Sequence, residues 1–405
     1  MNSGDTAFML IATALVMLMT PGLALFYGGM VRSKNVLSTI LQSFICLGIV
    51  SIIWVLYGYS LAFGPDVGGF IGNLDLAGLK NVGLTPGPGA EATIPHLLFC
   101  AFQLMFAVIT PALITGTFAE RVKFSAFLLF TVLWSTLVYL PVCHWVWGGG
   151  WMAGHGGLDF AGGTVIHINS GAAALVAALV FGKRKGWGRE SFHPHNLSMT
   201  VLGAGLLWFG WFGFNAGSAL AADGIAVNAL FTTQVAAGAA ILSWLVAEWM
   251  VQGKPTTLGA ASGGIAGLVA ITPGAGYVGP IPAIIIGLVA GAICYLAVFA
   301  KSRIGYDDAL DVVGVHGVGG LWGALATGLF ASTAVNPGGA DGLFYGNPGL
   351  LGIQAMDAFT TIGYSVVMTF IILKVIDMII GLRVSVEEEV EGLDLSQHSE
   401  IGYSL

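Results

Sequence analysis

Apolar stretches long enough to cross a bilayer recur along this 405-residue chain, and no other feature restricts its fold as much. They lie near 6–28, 39–63, 95–118, 124–143, 163–182, 197–217, 226–251, 257–273, 279–300, 309–331 and 351–382. A helix rising about 1.5 Å per residue needs about 20 such residues to span a hydrocarbon core of roughly 30 Å. Lipid offers no partner for a bare peptide group, so each stretch reads as a helix and the chain as an all-α membrane protein with eleven spans. Composition agrees: 9% of residues are charged and 56% hydrophobic, too few charges for a water-facing surface, where about 25% is usual. The net charge of -7 comes partly from Glu387, Glu388, Glu389, Glu391 and Asp394, and it excludes nucleic acid as a partner. The four cysteines, Cys46, Cys100, Cys143 and Cys294, lie far apart and mostly in apolar runs, as buried thiols do. The segment MNSGDTAF has no basic region before its apolar stretch, so 6–28 reads as a retained membrane helix.

The connections test the span count, because basic residues collect in cytoplasmic loops. Arg32 and Lys34 follow the first span, Arg121 and Lys123 the third, and Lys183, Arg184, Lys185 and Arg189 the fifth. Lys254 follows the seventh, Lys301 and Arg303 the ninth and Arg383 the eleventh, whereas the alternate loops hold only Lys80. This places the N-terminus outside and the tail inside a cytoplasmic membrane. The segments 64–94 and 143–162, rich in Gly, Pro and aromatic residues, then form an outer entrance. Gly259, Gly263 and Gly267, and Gly287 with Gly291, are spaced for close helix contact. Two five-helix halves plus an extra helix would be inverted with respect to each other, because five spans return the chain to the opposite side. The halves fall at about 1–190 and 191–335, the extra helix at 351–382 and the tail at 383–405.

Ionisable groups inside the spans are few, and each is a functional candidate. His167 lies 16 residues from Lys183, or roughly 24 Å, and His316 lies 8 to 13 residues from the inner boundary set by Asp308 and Arg303, or roughly 12 to 20 Å, so their depths bracket the midplane. Each precedes a run of small residues. Asp159, before the fifth span, is placed to cap that helix, and its charge favours a cation near the entrance. Trp147 stands among Trp145, Trp151 and Gly148–Gly150; such tryptophans form interface belts, and an open indole face also holds small cations. Phe102 and Phe106 share one helix face, and Phe214, Asn215 and Ser218 are suited to partner them, ring as gate and hydroxyl as acceptor. The match to G-x-G-x-x-G at 274–279 follows no strand and is no dinucleotide site.

These residues sit in segments that resemble the ammonium transporter (Amt) family along nearly the whole chain. They include PGLALFYGGMVRSKN (21–35), HWVWGGGW (144–151), LDFAGGTVIHINSG (158–171), WFGWFGFNAGSALA (208–221), DVVGVHGVGGLWG (311–323) and GLRVSVEEEVEGLDLSQH (381–398). The resemblance implies eleven helices with inverted halves, assembled as a homotrimer with one pathway per subunit. It implies an ammonium-binding set of Trp147, Ser218, Phe102 and Asp159, a phenylalanine gate of Phe106 and Phe214, and paired pore histidines His167 and His316. It further implies a regulatory tail on whose side PII-type signalling proteins dock, although Ser399 stands where glycine is common. No cofactor, metal or enzymatic activity is expected. The resulting expectation is recruitment of ammonium, loss of its proton and passage of ammonia along a hydrophobic pore. The alternatives are a Rh-like gas channel, which shares the histidines but not the WGGGW loop, and an ammonium sensor. A membrane metalloenzyme using His144, His155, His167 and His316 lacks ligand spacing such as H-E-x-x-H.

Overall fold

The protein was analysed as a computed structural model that describes residues 1–87 and 92–403. Residues 88–91 of the expected entrance segment and 404–405 of the tail lie outside it. Each expected span is a helix: α1 (Ser3–Met30), α2 (Ser33–Phe63), α3 (His96–Phe118), α4 (124–147), α5 (Gly163–Phe181), α6 (Leu197–Gly217), α7 (Gly224–Gln252), α8 (Thr257–Ile271), α9 (Pro280–Ile304), α10 (Val313–Phe330) and α11 (Pro348–Ile380). Ten of these segments are long and apolar enough to cross a membrane by themselves, whereas α8, with 15 residues, is shorter. Between α2 and α3 lies a small antiparallel hairpin, β1 (Asp66–Val67) with β2 (Ile71–Gly72).

Small residues set the packing. A Cβ on Gly203 of α6 would lie 2.2 Å from the Phe26 nitrogen of α1, and one on Gly210 would lie 2.3 Å from Met19, so α1 and α6 touch backbone to backbone. The glycine ladder of α8 and α9 behaves as its spacing predicts: Cβ atoms on Gly267, Gly287 and Gly291 would fall within 2.6 Å of backbone oxygens of Ala236 or Ala240 on α7. At the centre, a Cβ on Gly171 of α5 would meet Gly317 of α10 at 2.3 Å. The small-residue runs behind the two histidines are therefore what allow α5 and α10 to meet.

Four spans are interrupted by wide π-type turns, at Trp54–Gly58, Ser135–Tyr139, Gly163–Ile168 and Val313–Val318. Such turns re-aim side chains and concentrate at functional sites. The turns in α5 and α10 carry His167 and His316. The 274–279 glycine motif lies between α8 and α9, with Ala275 and Val278 buried and no strand before it. After α11 the tail forms two short helices, α12 (Val386–Glu391) and α13 (Leu393–His398), that lie against the α2 and α4 starts.

Candidate functional site

At one end of the bundle opens a vestibule of about 950 Å³, lined among others by Gln103, Trp147, Asp159, Phe160 and Ser218. The backbone around it explains how each group is presented. Asp159 holds the start of α5: one carboxylate oxygen accepts from the Gly162 and Gly163 nitrogens at 2.9 and 2.6 Å, the other from Thr164 and Val165 at 2.8 and 3.1 Å. Its backbone oxygen accepts the Trp147 indole N–H at 2.8 Å. Trp147 thus spends its one donor on the wall and keeps its ring for the cavity. Ser218 donates its hydroxyl to the Phe214 carbonyl at 2.8 Å, which leaves the hydroxyl oxygen free to accept. The Gln103 Oε1, nearly buried beside them, has no partner among the described residues.

Below the vestibule the path is closed by rings. Phe106 and Phe214 lie 4.4 Å apart between centroids, tilted by 36°, and the Trp147 ring meets Phe106 edge-on at 5.9 Å. Phe102 packs edge-on against Phe106 at 4.8 Å and against Gly217; it is fully buried behind the vestibule wall. Beneath Phe214 a cavity of about 10 Å³ is lined by apolar side chains, Trp211 and the two histidines. The His167 and His316 Nδ1 atoms are 3.1 Å apart, with the rings inclined by 26°. One Nδ1 must carry a proton and the other accept it, so the neutral pair holds complementary tautomers. Trp211 stacks on His167 at 5.5 Å and fixes its own ring by donating to Thr272. The His167 Nε2 has no partner among the described residues, a polar atom left in otherwise apolar surroundings.

A second cavity of about 10 Å³ lies beyond the pair, lined by His316, Tyr27, Ser262 and Asp311. Here α10 repeats the device of α5. Asp308 precedes His316 by the same eight residues that separate Asp159 from His167. Its carboxylate accepts from the Val313 nitrogen at 2.8 Å and the Thr117 hydroxyl at 2.9 Å, and its backbone oxygen accepts from Lys301 at 2.7 Å. Lys301 also pairs with Asp311.

The tail closes over this end through a buried ionic cluster. Arg184 bridges Asp307 at 2.8 Å and Glu120 at 3.1 Å, and Glu120 also pairs with Arg32 at 3.0 Å. Burial alone raises both carboxyls, but Arg184 foremost, helped by Arg32 on Glu120 and Arg121 on Asp307, holds each below its ordinary range. Glu389 of α12 lies next to the cluster, accepting from Arg383 at 2.7 Å and from the Lys185 nitrogen, which follows Arg184, at 2.6 Å. Asp394 of α13 caps α2 by accepting from Leu37 and Ser38. Ser399 ends α13 with φ 56°, the left-handed conformation that glycine adopts without strain, which accounts for the residue expected there.

The residues singled out in the sequence therefore converge, with two exceptions in detail. Asn215 turns away from the path, donating to Thr233 of α7 at 2.8 Å, and Phe102 backs the wall instead of lining it. His144 and His155 bond to other groups, at Ala62 with Asp66 and at Trp151, and stand apart from the pair. Sequence reasoning missed Gln103, Trp211, Asp308 and Gln354. Gln354 of α11 grips the Leu158 backbone at both its N–H and its oxygen, each at 2.7 Å, and so fixes the segment that carries Asp159. The repeated eight-residue Asp-to-His offset was a readable signal for Asp308; nothing in the sequence singled out Gln354.

The chain was then compared with known proteins. The sequence model of the Ammonium Transporter Family matches residues 7–403. An ammonium transporter of Bacillus subtilis is 57% identical over 404 residues, covering 100% of this chain and 99% of the relative. The ammonium transporter Amt1 of Archaeoglobus fulgidus is 50% identical over 404 residues, with both chains fully covered. The crystal structure of Saccharomyces cerevisiae Mep2 superposes with a TM-score of 0.90 at 37% identity, over 96% of this chain and 88% of that one. A structure described as a sensor Amt protein reaches 0.89 at 29% identity, with 98% of each chain covered. With a family match over nearly its whole length and relatives at half or more identity, this chain belongs to the ammonium transporter family.

Proposed function

We propose that the protein carries ammonium nitrogen across the cytoplasmic membrane by stripping the proton at the vestibule and passing ammonia along a hydrophobic pore past the paired His167 and His316. The observation that carries this reading is the histidine pair at 3.1 Å inside a cavity of about 10 Å³ that is otherwise apolar. A bare cation there would lose its hydration with no countercharge, a cost of many kcal/mol, whereas ammonia needs only a hydrogen-bond partner. Potassium has no proton to shed, so deprotonation itself selects. Ammonium is recruited by the Trp147 face, worth about 0.5 to 2 kcal/mol, with Ser218 Oγ and Gln103 Oε1 as acceptors. Asp159 contributes its field and its grip on α5; its oxygens are occupied by N–H groups. Phe106 and Phe214 are the gate, with Phe102 supporting them, and the histidine pair solvates the substrate and relays the proton.

By the loop charge bias the vestibule faces outward and the tail lies in the cytoplasm. The assembly is a homotrimer, and a PII-type signalling protein is the partner proposed for the tail side. Truncation after Gly381 that left both transport and its inhibition intact would remove that partner. Transport is tested with His316→Leu in proteoliposomes: the relay predicts loss of the ammonium-evoked current, and an unchanged flux and current would overturn it. Likeness to a sensor Amt protein favours a second reading, in which ammonium is bound and reported; binding without flux would support it. A Rh-like gas channel would show alkalinisation insensitive to Trp147→Leu.

A further inference from the structure

The vestibule wall contains a histidine with more acceptors than a neutral ring can serve. His144 is fully buried on α4, one turn before Trp147. Its Nδ1 lies 2.9 Å from the Ala62 backbone oxygen at the end of α2, and its Nε2 lies 2.9 Å from the Asp66 Oδ1 on β1. A carbonyl and a carboxylate only accept, whereas a neutral imidazole has one N–H. Turning the ring over would set C–H groups against both oxygens. Two hydrogen bonds therefore require two protons, and the ring is an imidazolium facing a carboxylate.

We propose that His144 is a doubly protonated positioning residue of the outer ammonium site, whose imidazolium clamps the 66–72 hairpin and the end of α2 onto the helix that presents Trp147. The proposal rests on the reading of Trp147 as the recruiting ring. Contacts on either side of the clamp show what it holds. The Trp145 indole donates to the Phe70 oxygen at 2.8 Å, and the Trp151 nitrogen donates to the Gly69 oxygen at 3.0 Å. A Cβ on Gly148 would lie 2.0 Å from the Ala62 oxygen and 2.5 Å from His144 Nδ1, so the strap lies directly on the turn beside Trp147. Asp66, Gly148 and Gly149 line the vestibule together with Trp147, which places the clamp in the wall of the site itself.

The charged and titratable groups around the ring are few. Asp66 is its partner from the hairpin, and the hydrogen bond from His144 foremost, then that from Gly69, holds the Asp66 carboxyl below its usual range. Cys143 precedes it on α4. Across the vestibule, His96 of α3 bonds Tyr59 of α2 at 2.6 Å, and Asp159 is occupied by α5. Without a donor on both nitrogens the clamp is lost. Either the Ala62 or the Asp66 bond is then forfeited, and the hairpin loosens against Trp147.

The test uses the intact protein in proteoliposomes, combining hydrogen exchange of residues 62–72 with the ammonium KM and with the nitrogen NMR shifts of the histidine rings. The His144 ring is expected to report two protonated nitrogens, and a neutral ring would overturn the proposal. His144→Gln, which cannot donate to both oxygens, is expected to raise exchange and KM about tenfold, as one charge-assisted hydrogen bond is lost, with maximal rate within about twofold of the parent. Asp66→Asn supplies the same readout if that variant does not assemble. Wild-type exchange and KM in His144→Gln would overturn the proposal, as would a rise in exchange without any change in KM. Trp147→Leu is measured beside them: an unchanged KM there refutes the recruiting role of Trp147, whereas the rise in exchange reports His144 independently.

Discussion

The two ends of the proposed pathway are built from one device and differ in what surrounds it. At each, an aspartate eight residues before a histidine holds the start of a helix that opens with a π-type turn. Asp159 binds four backbone N–H groups and offers its carbonyl to an indole, and the space beside it is about 950 Å³. Asp308 binds one backbone N–H and one hydroxyl and offers its carbonyl to Lys301, whose other partner, Asp311, lines a cavity of about 10 Å³. The same cap therefore stands beside a wide opening or a narrow one, and the two differ in what the carbonyl receives: an indole N–H from Trp147, or the Lys301 ammonium.

The comparison breaks most readily at the caps. Asp159→Ala would leave four N–H groups buried without an acceptor, each costing about 1 to 3 kcal/mol, and should abolish folded, transporting protein. Asp308→Ala removes fewer bonds and should cost transport about tenfold while the fold survives; thermal unfolding in detergent and liposome flux would show the ranking, and equal losses would refute it. At the next level, Trp147→Leu should raise KM about tenfold with little change in maximal rate, whereas Lys301→Met should leave KM alone, as expected if recruitment belongs to one mouth.

A pH effect separates the mouths further. Because the Glu120 and Asp307 carboxyls are held below their ordinary range, the stability they lend is present above about pH 4 and is lost as pH falls through their folded values. Glu120 also holds Asn35, which accepts from the Leu393 nitrogen of α13, so limited proteolysis should release the tail in acid and not at neutral pH. Glu389→Gln should move that release toward neutral pH. The smallest expected change is that of Thr117→Val, about 1 kcal/mol of stability and no change in KM, because it removes one of the bonds to Asp308.

Much of this was legible before any coordinates. Span positions followed from apolar length, because lipid leaves the backbone no alternative to helix, and the observed ends fall within six residues of those runs. The histidines were readable as candidates because ionisable groups are scarce in the spans, and the small residues behind them because Gly171 and Gly317 have to touch. Depth counting could not bring His167 and His316 to 3.1 Å, since rotation about a helix axis and the π turns are invisible to it. Asn215 shares the polarity of Ser218 but not its helix face, so type alone misplaced it. Gln354 escaped for another reason: its partners are the backbone atoms of Leu158, and a backbone leaves no signature in side-chain pattern.

The account stands on the claim that only a species able to become neutral passes the histidine pair. The most direct measurement is the current across proteoliposomes given ammonium or potassium at equal concentration, with internal pH recorded at the same time. Ammonium should produce flux that His316→Leu alters, and potassium should produce no current above that of empty liposomes. A potassium current comparable to that of ammonium would show that bare cations cross the pair, and would contradict the account.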